Sequence, residues 1–319
     1  MTVDGAPLAF DGVVIHLRLI VPAAMAPEVY RQLVEHPGVA HVIAVPAQAS
    51  DPAGEVILCD VARESANGII EWLQDQGIHR NGAIVMAAAD AVVSDAAELA
   101  EAQAPGQGGD ALVWEQLEAR ARDEATLTPS FLVFIAIATI IAAVGILLDS
   151  PILIVGAMVV GPEYGPLAAV CVSLVRRRTG QALVAARTLA VGLTTAVGAS
   201  LVSTLLLRAV GLASDDYELG ERQLTAFIAH PDGLAVVVAA LAGIVGMLSL
   251  TEGRSGALVG VLVSVTTIPA AANIGVAAAY GSWEEMWGAA VQLVLNLVSL
   301  LVAGVVTLWV QARATGSRA

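Results

Sequence analysis

From residue 131 onward the chain runs in long apolar stretches separated by short polar breaks. The first, FLVFIAIATIIAAVGILL over 131–148, holds no charged residue. Eighteen such residues rise about 27 Å as a helix, close to the hydrocarbon thickness of about 30 Å, so this stretch predicts a membrane span. The pattern predicts six spans in all, at 131–148, 151–174, 182–210, 234–251, 257–280 and 288–310. Before residue 97 the pattern differs. GVVIHLRLIV (12–21) alternates with period two, which places Val13, Ile15, Leu17 and Leu19 on one face of a strand and His16 and Arg18 on the other. APEVYRQLVEHPGV predicts a helix carrying Val29, Leu33 and Val34 and stopped at Pro37-Gly38. AHVIAVP (40–46) and EVILCDVA (55–62) read as strands, SANGIIEWLQDQG (65–77) as a helix with Ser65 as N-cap and Gly77 as stop, and GAIVMAAADAVV (82–93) as a last strand. The order βαββαβ is the ferredoxin-like pattern.

The fold expected is therefore an α-helical integral membrane domain preceded by a soluble α+β domain. The divisions are 1–97 for the ferredoxin-like domain, 98–127 for a linker and juxtamembrane helix, 128–312 for the membrane domain, and 313–319 for a tail. The stretch 98–110 is rich in Ala, Gly and Gln, a flexible-linker composition.

Charge sharpens this picture. Residues 1–126 carry 19 Asp and Glu against 6 Arg, a net of −13, while 127–319 carry 10 acids and 9 Arg, and the chain has no lysine. So acidic a soluble half argues against nucleic acid as a partner. Arg176, Arg177, Arg178, Arg254, Arg313 and Arg318 fall on the side of the membrane that also holds the N-terminus if six spans are drawn. The start of the chain shows no basic segment leading into an apolar one. Both features predict a multi-pass protein of the plasma membrane with both termini in the cytoplasm and 214–233 outside. Cys59 and Cys171 belong to different environments and are expected as reduced thiols.

Two spans are interrupted. The second contains Gly161-Pro162-Glu163-Tyr164-Gly165-Pro166 and the fifth Thr266-Thr267-Ile268-Pro269, followed by Asn273. Spans 1–3 and 4–6 start from opposite sides, so paired breaks suggest a 3+3 inverted repeat, and such breaks mark binding sites in transporters. Glu163 stands out, because an ionised carboxylate at that depth costs about 2.5–3.5 kcal/mol unless paired, hydrated or protonated. It is read either as a cation ligand or proton carrier in a cavity, or as a structural group bonding amides freed by the break. The candidate solute or ion site is Glu163, Tyr164, Pro162, Gly165, Thr266, Thr267, Asn273 and Asn296. Asn273, Gln292 and Asn296 also suit interhelical hydrogen bonding. Arg187 either snorkels or pairs with Glu163. In the soluble half His16, His41 and Asp60 could share one open sheet face, as a ligand site or as plain solvated residues. No nucleophile–base pair lies within the spans and no phosphate loop occurs. The protein is read as a non-enzyme, with no cofactor and no metal.

The run SPILIVGAMVVGPEYGPLAAVCVSLVRRR (150–178) resembles the signature of the DUF389 family of hydrophobic bacterial and archaeal proteins. ERQLTAFIAHPDGLAVVVAALAGIVGM (221–247), SGALVGVLVSVTTIPAAANIGVAAAYG (255–281) and the last span with Asn296 are similar to it too. With its soluble N-terminal module the whole chain resembles the actinobacterial branch. It departs from the family form GAM-x-x-SP-x-x-GP in carrying Gly161 for Ser and Glu163 after the proline. The resemblance implies a membrane protein and brings no activity with it. The leading expectation is a transporter or channel for a small solute or ion, in contact with membrane lipid and assembled as a homo-oligomer. A membrane-anchored ligand sensor or oligomeric scaffold is the other.

Overall fold

The computed structural model describes residues 14–89, 92, 94–104, 113–214, 233–252 and 267–314. Two compact units divide the chain, one running to Gln116 and one from Leu117 to Gln311.

In the first unit, β1 (Val14–Val21) alternates as its sequence requires: Ile15, Leu17, Leu19 and Val21 are buried while His16 and Arg18 are exposed. α1 (Ala26–Glu35) opens with Pro27 in its first turn and buries Val29 and Leu33. β2 (Val39–Ser50) and β3 (Ala53–Ala62) form a hairpin, and the register of β2 shifts between Ala40 and Ile43 and again between Val45 and Gln48. α2 (Arg63–Asp75) is followed by Gly77 at φ 76°, the left-handed position that glycine tolerates without penalty. A single turn, α3 (Ile78–Asn81), leads into β4 (Ala83–Ala88). The sheet order is β2-β3-β1-β4 with every neighbouring pair antiparallel, Leu17 standing between Cys59 and Met86. Leu33, Ile69, Ile70 and Leu73 pack from the two helices onto Leu17, Leu19, Ile57 and Cys59. Each such aliphatic side chain contributes about 1.5–3 kcal/mol when fully buried. That core holds the unit together.

Two expectations change here. α2 starts at Arg63, so Ser65 is not its cap but an interior residue, 7% exposed and pressed against Gly38. The helix begins two residues before Ser65, with Ala62 at its N-cap position, which turns Ser65 inward against Gly38. Residues 98–103, expected at the start of the linker, belong instead to α4 (Asp95–Gln103), whose cap is Ser94, its Oγ accepting from the Ala96 N–H. Both cysteines are free and buried.

The second unit is wholly helical among its described residues: α5 (Trp114–Glu124), α6 (Pro129–Leu147), α7 (Pro151–Val160), α8 (Tyr164–Val175), α9 (Thr179–Ala209), α10 (Gly233–Glu252), α11 (Thr267–Tyr280) and α12 (Trp283–Ala314). Four of them, α6, α9, α10 and α12, are long and apolar enough to cross a membrane, and α7 with α8 makes a fifth if that pair, bent by 53°, counts as one span. The span expected fifth in order, at 257–280, is described only from Thr267, as the 14-residue α11. Thr128 caps α6 by accepting from the Phe131 N–H. Small side chains, among them Ala138, Ala142, Ala143, Ala157, Ala271 and Ala272, let α6, α7, α9 and α11 approach closely around Ile135 and Ile154. The outside is as apolar as the inside: Ile152 is 83% exposed, Leu183 and Leu234 73% each. Water would not support such a surface, whereas hydrocarbon does. The hydroxyls follow suit. Thr139, Thr194, Thr195 and Ser249 donate to carbonyls of their own helices, and Ser200 donates across to the Ala272 carbonyl.

Candidate functional site

Pro162 has no N–H to continue the ladder of α7, and the break it causes spans residues 161–163 between α7 and α8. Gly161 closes α7 through its own N–H to the Ala157 carbonyl. Glu163 occupies the bend, 2% exposed. Its Oε1 accepts a 2.8 Å hydrogen bond from the Thr267 hydroxyl at the described start of α11, and Thr267 is fully buried. Its Oε2 is shut off from solvent and has no hydrogen-bond partner among the described residues. A carboxyl group half satisfied in an apolar surround is a poor structural element, since each unmade hydrogen bond there costs about 1–3 kcal/mol.

The pocket around that oxygen is tight. A methyl group added at Gly161 would lie 2.3 Å from Oε2 and 2.8 Å from Ile268 Cγ1. At Gly165 an added Cβ would sit 2.8 Å from Cβ of Glu124, so the glycine lets α5 approach α8 just beyond the bend. Glu124 lies outside the spans, and its carboxyl is pushed above the usual carboxylate range, chiefly by desolvation. Tyr164 is 7% exposed, its ring against Gly246 and its hydroxyl without a partner among the described residues.

Of the residues expected at this site, the structure joins Glu163 to Thr267 directly and places Pro162, Tyr164 and Gly165 around the bend. Thr266 lies outside the described residues. Asn273 is buried in α11, and Asn296 is buried in α12, where it accepts from Gln292 Nε2 at 3.2 Å. Arg187 is exposed and so plays no part in holding Glu163. At the far end of α9, Arg208 donates to the Ala279 carbonyl and stacks 4.3 Å from the Tyr280 ring centre.

A second polar cluster stands on the sheet of the first unit. Asp60 accepts from Nδ1 of His16 at 2.8 Å through one oxygen and from Nδ1 of His41 at 2.7 Å through the other. His41 reaches it because its backbone adopts φ 50° where the register of β2 shifts. With Nδ1 donating, Nε2 of a neutral His41 accepts from the Ser94 hydroxyl at 2.7 Å. The three residues expected on one face do meet, and Ser94 joins them unforeseen. Its place just ahead of Asp95 and Glu98 was the available sign of a helix cap. Among the described residues no group of three or more His, Cys, Asp or Glu is arranged to hold a metal ion.

Residues 158–302, from the end of α7 into α12, match the DUF389 family, described as a domain of unknown function. The "Uncharacterized protein MJ0678" of Methanocaldococcus jannaschii is 26% identical over 195 residues, covering 61% of this chain and 58% of that protein. No solved structure matches the chain. The resemblance read from 150–178 and the later stretches is thereby borne out.

Proposed function

We propose that this protein is an integral membrane transporter or channel for a small solute or ion, with its site where the bend of α7 and α8 meets the start of α11. One observation carries the reading: the Glu163 carboxyl is buried at a helix break, with one oxygen bonded to Thr267 and the other unpartnered among the described residues. A cation or a proton supplies what Oε2 lacks, and broken helices are where membrane proteins expose such groups to a pathway. In this reading 257–280 is the fifth of six spans, related to the second by an inverted 3+3 repeat. Both termini lie in the cytoplasm of the plasma membrane, and the chain works as a homo-oligomer without enzymatic chemistry. The strand order β2-β3-β1-β4 favours a ferredoxin-like regulatory or assembly domain at 1–97.

The test is flux. Purified protein is reconstituted in liposomes, and proton, Na⁺ and K⁺ movement is followed with entrapped indicator dyes. Glu163→Gln keeps shape and hydrogen bonding but removes charge and titration, so flux should fall by at least about tenfold at unchanged folding. Wild-type flux from folded Glu163→Gln protein would end the claim for this residue. The second reading, a membrane-anchored ligand sensor or scaffold, draws on the His16–Asp60–His41–Ser94 cluster of the first unit. It requires that the wild-type protein carry no flux at all.

A further inference from the structure

A separate cavity of about 420 Å³ opens where α5 meets the last turns of α8 and the first turns of α9. Its polar lining is Glu118, Arg122, Thr126, Ser173 and Gln181, and Val184 stands one turn beyond Gln181 on α9. Glu118 is 7% exposed and already satisfied: one oxygen accepts from Arg176 Nε at 2.7 Å and the other from Arg178 Nη2 at 2.9 Å. Arg122 lies one turn further along α5, exposed and with no carboxylate partner among the described residues. Glu118 and Arg122 are the charged residues of the lining, and because Arg176 and Arg178 already neutralise Glu118, the guanidinium of Arg122 stands unmatched there. Asp123 and Glu124 follow on α5, but neither lines the cavity.

Exposed aliphatic side chains stand beside Arg122 and on the neighbouring turns. Val184 is 59% exposed, and Leu183, Leu174 and Leu127 on the adjoining segments are 73%, 47% and 42% exposed. Nothing soluble explains such leucines beside an unmatched arginine. α9 has 31 residues and so runs about 46 Å, which exceeds the hydrocarbon thickness by about 16 Å. Gln181 and Val184 stand in its first two turns, within the length by which α9 can overrun the hydrocarbon. Gly180 adds room, since a Cβ there would meet nothing within 4 Å.

We propose that this cavity binds an anionic phospholipid of the leaflet on the arginine-bearing side. Its phosphodiester pairs with Arg122, and an acyl chain lies along Leu183 and Val184. A guanidinium matches two phosphate oxygens at once, and a basic pocket at a helix end is a known form for such recognition. The assignment stands independently of any role for Glu163.

The test uses the full chain in mild detergent, with dioleoylphosphatidylglycerol as the probe and native mass spectrometry as the readout. One lipid should remain bound per chain at activation energies that strip the rest. Arg122→Gln should weaken this retention at least tenfold, while Arg120→Gln, on the same helix but off the cavity lining, should leave it unchanged. Gly180→Leu fills the cavity without altering charge and should block retention; melting curves without added lipid show that each variant is folded. Equal retention in Arg122→Gln and wild type would overturn the site, as would equal loss in Arg120→Gln and Arg122→Gln. Millimolar inorganic phosphate that binds at Arg122 and displaces the lipid entirely would mark a free-anion site and overturn the lipid assignment.

Discussion

Thr267→Val isolates the one hydrogen bond that defines the candidate site. The substitution keeps the branched shape of a fully buried side chain and deletes only the donor that lies 2.8 Å from Glu163 Oε1. Because Oε2 is already unpartnered among the described residues, both carboxyl oxygens then lack a side-chain donor. Orphaning a buried acceptor costs about 1–3 kcal/mol. For a unit of this size about 1 kcal/mol shifts the melting temperature by about 2–4 °C, so the expected loss is about 2–12 °C. The control is the same change made in Glu163→Leu, where the Thr267 hydroxyl itself becomes the orphan. There Thr267→Val should be neutral or stabilising, which gives a coupling energy of about 1–3 kcal/mol. Scanning calorimetry of the four proteins in one detergent measures it. If the change costs the same in both backgrounds, to within about 0.5 kcal/mol, the two side chains do not hold each other and the site geometry fails.

Gly161→Ala should displace the Glu163 carboxyl from Thr267, because its methyl would stand 2.3 Å from Oε2; destabilisation of about 1–3 kcal/mol in the same melts is expected, together with loss of flux. Burial pushes the Cys59 thiol from 9.0 up to about 12, with Asp60 adding to the effect. A raised folded-state value means that its contribution is whole below about pH 9 and drains as pH climbs toward 12, by up to about 1.4 kcal/mol per pH unit. Urea unfolding of the full chain at pH 8 and pH 10.5 should show that slope, and Cys59→Ala should remove it. Ser94→Ala removes both the cap of α4 and the partner of His41 Nε2, so amide exchange at Ala96 and Ala97 should quicken by a factor reflecting about 0.5–2 kcal/mol. For topology, an impermeant thiol reagent applied to intact cells should label Asp216→Cys and spare Gln103→Cys; the reverse pattern would invert the proposed orientation.

Much of this protein could be read from local pattern. The alternation that buries Leu17 and Leu19, the uncharged run that becomes α6, and the proline that breaks α7 from α8 are decided within a few residues. Pleat, helical repeat and the missing proline N–H are all local physics, so the sequence alone sufficed for the strand, the apolar helix and the placing of Glu163 at a bend. Other features needed the fold. Glu163 and Thr267 are 104 positions apart, and their meeting depends on the 53° bend and on alanines thin enough to let α7 and α11 close together. Glu118 and Arg176, 58 positions apart, sit in segments whose sequences give neither a reason to choose the other. Ser65 looked like a cap and is buried, while Ser94, which the local pattern did not single out, is a cap; which hydroxyl caps a helix depends on where its first turn begins in the fold. Periodicity specifies what a segment is because each residue sees its own neighbours. Which distant side chains share a site is a property of packing angles and of the small residues that permit them, and those are determined only when the whole bundle closes.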